Sequence, residues 1–250
     1  MTDTLGWRKV IGVVTPSTNT VVQPEYDAMR PTGVVNHMEG MHIPDDPVGS
    51  DADFNELIRR IDGALEDALR RVLTCRPDHI VLGISAESIW GGGLAAARKI
   101  AERVKALAGG VGFTQAADAL PAALKACGVA RRISILTPYF PVAETHLQEF
   151  ARAIGYQVVR TRHLSCTGPV AIARTGEAEL RAALQAIDGP DVEAIVQFGA
   201  NLPMARLAAE ADAWLGKPVL AVNVATYWHA LRSCGIADQR EGFGRLLAAH

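Results

Sequence analysis

Sulfur is scarce in this chain and scattered where it occurs. Four of the 250 residues are cysteine, at Cys75, Cys127, Cys166 and Cys234. No two of them form a CxxC pair or stand at metal-ligand spacing, and no His/Asp/Glu cluster does so either, so no metal is expected. Neither GxGxxG nor GxxxxGK occurs, which leaves a nucleotide-phosphate site without support. No cofactor is expected. An excess of one charge is missing too: 25 basic residues face 27 acidic ones, for a net charge of −2. Without a basic stripe, nucleic acid and polybasic membrane contact are excluded as partners. No apolar run approaches the roughly 18 residues that span a bilayer, and the opening MTDTLGWRKV lacks a signal-peptide pattern. The expected location is cytoplasmic, with the cysteines reduced.

What is present is an ordinary core composition, 49% apolar and 21% charged, and a chain long enough for one large or two small domains. Short β-branched runs alternate with segments of helical periodicity. Val10 to Val14 reads as a buried strand that Pro16 stops. Ser17, Thr18, Asn19 and Thr20 then suit the cap of a helix starting near Val21. Val34 to Ile43 reads as a second strand carrying His37 and His42 on opposite faces, too far apart for a metal pair. Asp53 to Leu73 repeats apolar residues every three and four positions, as one helix does.

His79 to Leu82 is another strand, running into the turn from Gly83 to Gly93 and a helix from Leu94. Arg132 to Leu136 leads to Thr137-Pro138-Tyr139, and Ala194 to Gln197 leads to Phe198-Gly199-Ala200-Asn201. Alternating strands and helices imply mainly parallel sheets, which bind ligands beyond the carboxyl ends of their strands. Hydroxyls and amides in such turns favour an anion such as a carboxylate. The segment Ala123 to Val129 (ALKACGV) echoes Ala230 to Ile236 (ALRSCGI), which points to two similar halves with a site between them.

The stretch GVVTPSTNTVVQPEY resembles the amino-terminal signature of the maleate isomerase and arylmalonate decarboxylase branch of the Asp/Glu racemase superfamily, and the likeness extends along nearly the whole chain. The resemblance implies an α/β fold of two pseudo-symmetric Rossmann-like lobes, each a mainly parallel sheet flanked by helices, with the site at the lobe interface. Residues 1–116 with 222–250 would form the amino-terminal lobe and 117–221 the carboxyl-terminal one. It implies a cofactor-independent isomerase or decarboxylase acting on a small carboxylate. Asn19 matches the signature asparagine that binds a substrate carboxylate, and Tyr139 the tyrosine that hydrogen-bonds one. Ser85 matches a serine of the decarboxylase dioxyanion hole. Ser17, Thr18, Gly199, Ala200 and Asn201 complete the expected binding turns. A homo-oligomer is left open.

The departures are as telling. By motif, the two cysteine positions of the superfamily fall on Ser85 and Gly199. A serine hydroxyl needs a base before it can act as a thiol does, and glycine offers no side chain. Two-base racemisation by thiols is therefore excluded, and Cys166, at neither motif position, is a minor candidate for a replacement acid. Glu87, an acid in an apolar glycine-rich turn, is the candidate base, because burial would raise its pKa. His229 is the alternative, and Trp90, Tyr227 and Trp228 are candidates for an apolar wall. Two other classes stand beside the leading one: a hydrolase using Ser85 with Glu87 or His229, and a non-catalytic carboxylate binder.

Overall fold

The computed structural model describes residues 3–87, 89–90 and 93–250; Ser88, Gly91 and Gly92 of the expected glycine-rich turn lie outside the described residues. The chain folds as two four-stranded parallel sheets. The first is ordered β2–β1–β3–β4 and the second β6–β5–β7–β8. In the first, β1 (Lys9–Pro16) pairs with β2 (Val34–Met41) and with β3 (His79–Leu82), which pairs with β4 (Gly112–Thr114). In the second, β5 (Arg132–Thr137) pairs with β6 (Gln157–His163) and with β7 (Ala194–Gln197), which pairs with β8 (Val219–Ala221). The two strand orders are the same path taken twice. The central strands are covered on both faces, which is why β3 and β7 are buried at every position, with Ile80 to Leu82 and Ala194 to Val196 apolar rather than alternating.

The helices are α1 (Val22–Met29), α2 (Asp51–Gly63), α3 (Leu65–Val72), α4 (Leu94–Ala108), α5 (Ala116–Ala126), α6 (Ala143–Ala153), α7 (Pro169–Ala173), α8 (Glu177–Ile187), α9 (Ala205–Leu215), α10 (Val222–Ser233) and α11 (Arg245–Ala249). The echoed segments are the ends of α5 and α10, which pack against each other. Both close on the same cap: Val129 N–H reaches Leu124 O at 3.0 Å and Ile236 N–H reaches Leu231 O at 2.9 Å. The glycines between, Gly128 and Gly235, have φ of 69° and 74°. That left-handed turn costs a side-chain-bearing residue and suits glycine.

The helix expected from Asp53 to Leu73 is two helices. It starts earlier because Ser50 Oγ accepts the Asp53 N–H at 3.2 Å while the Asp53 carboxylate accepts Gly49 N–H at 3.1 Å, a reciprocal cap. It breaks after Gly63, a poor helix former, where Ala64 turns to φ −95°, ψ −2°. The break has a use. The amphipathic α3 packs on β1 and β2, and α2 is released to lie elsewhere. The second strand stops at Met41, so His42 stands exposed beyond it.

Candidate functional site

A cavity of about 60 Å³ lies where the strand-end turns of both sheets meet, lined by Thr18, Asn19, Tyr139, Gly199, Ala200 and Asn201 among others. One water needs only about 10–15 Å³, so this space takes a small molecule rather than a lone solvent. The turn after β1 supplies Thr18 and Asn19. Asn19 Oδ1 accepts the N–H groups of Val21 and Val22, both at 2.9 Å, and so caps α1. Its acceptor end is thereby committed, which leaves the Nδ2 protons as the donors this side chain has to offer a ligand.

The turn after β7 is tied to the first by Asn201. Its Oδ1 accepts Thr20 N–H at 3.0 Å, and its Nδ2 donates to Pro169 O at 2.8 Å and Thr18 O at 3.4 Å. Gly199 sits at φ +96°, and a Cβ there would fall 2.4 Å from the Pro138 ring. The second motif position is glycine for a steric reason: this backbone path has no room for a thiol-bearing carbon.

Tyr139 is buried at 4% exposure and lines the cavity. Its phenol and the Ser85 hydroxyl lie 2.9 Å apart, and Gly199 N–H donates to Ser85 Oγ at 2.9 Å. Ser85, from the turn after β3, thus stands behind the wall and links two turns of the second sheet, the hydroxyl of Tyr139 and the amide of Gly199. Burial pushes the Tyr139 pKa up, the Ser85 bond opposes this, and the Glu87 charge adds to it. A phenol held neutral in this way is a hydrogen-bond donor at every physiological pH.

The rest of the lining is apolar: Phe54, Leu57, Ile58 and Ile61 from α2, with Ile84, Ile43 and Ile172. The face of α2 freed by the break at Gly63 therefore covers the cavity instead of a sheet. Among the described residues, no Lys, Arg, His or Cys lines it. These α2 residues were legible only as a helical stripe, and periodicity does not separate a face that meets a core from one that meets a cavity.

Three expected site residues are placed elsewhere. Ser17 Oγ accepts Ile43 N–H at 3.1 Å and so fastens the segment after β2. Ser85 reaches the site only through Tyr139 and Gly199. Glu87 does not share the cavity: it lines a neighbouring groove with Asp62, Lys99 and Arg103, on the adjacent face of α2, and Ile58 borders both. Its Oε1 has no partner among the described residues, and burial pushes its pKa to about 8, with the Asp62 charge adding to that.

The alternative base is remote as well. His229 Nδ1 lies 3.2 Å from Thr114 Oγ1, which lies 2.9 Å from His79 Nε2. Neither Glu87 nor His229 contacts Ser85, so a base-activated serine nucleophile is not assembled. Trp90 packs tilted against Phe54, ring centres 5.1 Å apart, and Tyr227 bonds Asn36 at 2.9 Å. Neither they nor Trp228 touch the cavity. Cys166 bonds Pro138 O through its backbone and turns its sulfur to Thr175 at 3.6 Å, while burial raises its pKa.

Comparison with known proteins agrees with the architecture. A family model described as arylmalonate decarboxylase matches residues 11–247. The maleate isomerase of Pseudomonas putida is 26% identical over 261 residues, covering 95% of this chain and 96% of that protein. The arylmalonate decarboxylase of Bordetella bronchiseptica is 30% identical over 169 residues, covering 66% and 69%. Among solved structures, a Nocardia farcinica maleate cis-trans isomerase variant holding a covalent succinylcysteine superposes with a TM-score of 0.86 at 23% identity, over 97% of this chain and 99% of that one. An arylmalonate decarboxylase structure gives 0.72 at 24% identity, over 96% and 100%. No described helix is long and apolar enough to cross a membrane.

Proposed function

This chain belongs to the arylmalonate decarboxylase family, whose members here include maleate isomerase relatives, and from that premise we propose that it decarboxylates a small, apolar-substituted dicarboxylate without any thiol. One carboxylate sits against Asn19 Nδ2 and the hydroxyl of Thr18. The other lies toward the apolar face of α2, where an anion is poorly solvated and a neutral CO₂ is not. Cleavage of the C–C bond leaves its electron pair on the α-carbon, delocalised into the retained carboxylate as an enediolate. Asn19 and the Thr18 hydroxyl donate to those oxygens, and fixed donors of this kind are worth most where water is excluded. The α-carbon takes its proton from Tyr139, the most acidic group on the wall, and solvent returns one to the phenolate.

The observation that carries this reading is the pairing of neutral donors from both lobes with an apolar wall that lacks a thiol and a cation. Thiol addition to a double bond, the chemistry a covalent succinylcysteine records, has no nucleophile on that wall. The lobes themselves we assign to residues 1–116 with 222–250 and to 117–221. α10 follows β8 yet packs on α1, β3 and β4, and it meets α5 across the proposed boundary.

Proton NMR in deuterated water with methylmalonate, phenylmalonate and maleate tests the proposal. The expected result is loss of CO₂ from a malonate with one deuterium retained at the α-carbon. Conversion of maleate to fumarate, or no change in any of the three, rejects it.

A further inference from the structure

The signature stretch holds one more charged group that the proposed chemistry leaves unused. Glu25 lies in the first turn of α1, yet both of its oxygens are committed to the second half of the chain. Oε1 accepts the backbone N–H of Ala205, at the start of α9, at 2.9 Å. Oε2 accepts Asn223 Nδ2 at 2.6 Å. A carboxylate at a helix start is favoured by the unpaired N–H groups there. Asn223 is buried at the start of α10, and the same Nδ2 donates to the carbonyl of Ala200 at 2.9 Å. The two amide protons of Asn223 are thus both used, one on Glu25 and one on the cavity wall.

This path runs beside the one through Asn201. Asn201 ties the turn after β7 directly to Thr18 and Thr20. Glu25 ties the same turn, through Asn223, to the helix that the Asn19 cap begins. Without the Glu25 link, Asn201 alone ties the turn to the Thr18–Asn19 wall; the Gly199 amide is fixed separately, on Ser85. With both links, Ala200 and Asn201 are held at two points relative to Thr18 and Asn19, and charge-assisted bonds make the second link the stiffer one. We propose that Glu25 is a positioning residue: acting through Asn223, it sets the separation of the Ala200–Asn201 wall from the Thr18–Asn19 wall, and hence the width of the carboxylate seat. The link to a carboxylate rests on the function proposed above; the positioning of the turn does not.

The test uses the full chain at pH 8, above the value of about 7 to which burial lifts the Glu25 carboxyl. Three readouts are taken: hydrogen exchange of the Gly199 and Leu202 amides, the urea midpoint, and the dissociation constant of malonate by calorimetry. Glu25→Gln turns an NH₂ toward either Ala205 N–H or Asn223 Nδ2, so one donor faces another. We expect exchange at the two amides at least tenfold faster and malonate binding about tenfold weaker. The double variant Glu25→Gln with Asn223→Asp restores the link in the opposite direction, since the amide introduced on α1 can donate to the carboxylate introduced on α10. It leaves Ala200 O without a donor. The midpoint should therefore recover while exchange and malonate affinity stay at the level of the single variant.

Recovery of all three readouts together, or a lowered midpoint in Glu25→Gln with exchange and affinity unchanged, overturns the proposal and leaves Glu25 a structural tie. If Glu25→Gln does not fold, Glu25→Asp is read the same way, because it keeps the charge and shortens its reach. Malonate binding to no form, wild type included, counts against the carboxylate seat; the exchange data alone then decide the positioning.

Discussion

The two lobes leave their central strands in the same manner and then do different things. β1 closes on Thr15-Pro16, and β5 closes on Thr137 followed by Pro138. Just past the end of each neighbouring strand, one amide reaches back to the residue before the threonine. Gly83 N–H bonds Val14 O at 2.7 Å, and Phe198 N–H bonds Leu136 O at 2.9 Å. Beyond the prolines the lobes diverge. The amino-terminal lobe continues with Ser17-Thr18-Asn19, small donors around a helix start. The carboxyl-terminal lobe continues with Tyr139, one long donor with an aromatic body. The next crossings differ too: α2 brings four apolar side chains to the cavity, whereas the five-residue α7 brings Pro169 and Ile172. Duplicated backbone supplies a symmetric cleft, and asymmetric side chains give its two walls separate tasks.

Removing the long donor is the severest way to break that division. Tyr139→Phe keeps the ring packed against Phe54, 5.2 Å away, and deletes the hydroxyl. Activity on whichever malonate is turned over should fall about 10²–10³-fold in kcat, as loss of a positioned general acid does. A loss under tenfold would return the proton transfer to another group.

Restoring a family thiol in the carboxyl-terminal lobe comes next. Gly199→Cys meets both the positive φ and the Pro138 ring. It should cost on the order of 2–4 kcal/mol in urea unfolding and yield no thiol-dependent isomerisation of maleate. A stable, active variant would mean that the turn relaxes.

The turn after β3 carries a buried acid, and its counterpart after β7 carries none. Burial lifts Glu87 to about 8 from the ordinary 4.5. A carboxyl whose pKa rises on folding holds its proton more tightly in the native state. The stability it contributes is therefore full below about pH 4.5 and is lost as the pH rises through about 8. Glu87→Gln should flatten that decline, gaining about 1–3 kcal/mol on its parent between pH 5 and pH 9 in a urea series. A constant difference across the series would show that folding leaves the Glu87 pKa where it is in the unfolded chain.

The smallest effect should be the same in both lobes. Gly128→Ala and Gly235→Ala each place a methyl in open space at a left-handed φ. Each should lower stability by about 1 kcal/mol. Unequal losses would show that the matched caps are held by different surroundings.

The strands and most helix limits were legible because apolar periodicity and the Pro and Gly stops are local signals. The signature turn was legible for a related reason: Thr18 and Asn19 carry their donors wherever the turn is placed. The cover over the cavity was not. Phe54, Leu57, Ile58 and Ile61 make the stripe that any packed helix makes, and only the break after Gly63 turns that stripe toward a ligand. Glu87 was legible as a buried acid, but its side of α2 was not.

The order of residues alone determined two matching α/β halves, their strand-end turns, and the absence of thiols at the two motif positions, since each of these follows from local chemistry. Tertiary structure decided which turns face one another, that Ser85 bridges Tyr139 and Gly199, and that Glu25 is spent on Ala205 and Asn223. Those relations join residues more than fifty positions apart, and no local preference specifies a partner at that distance.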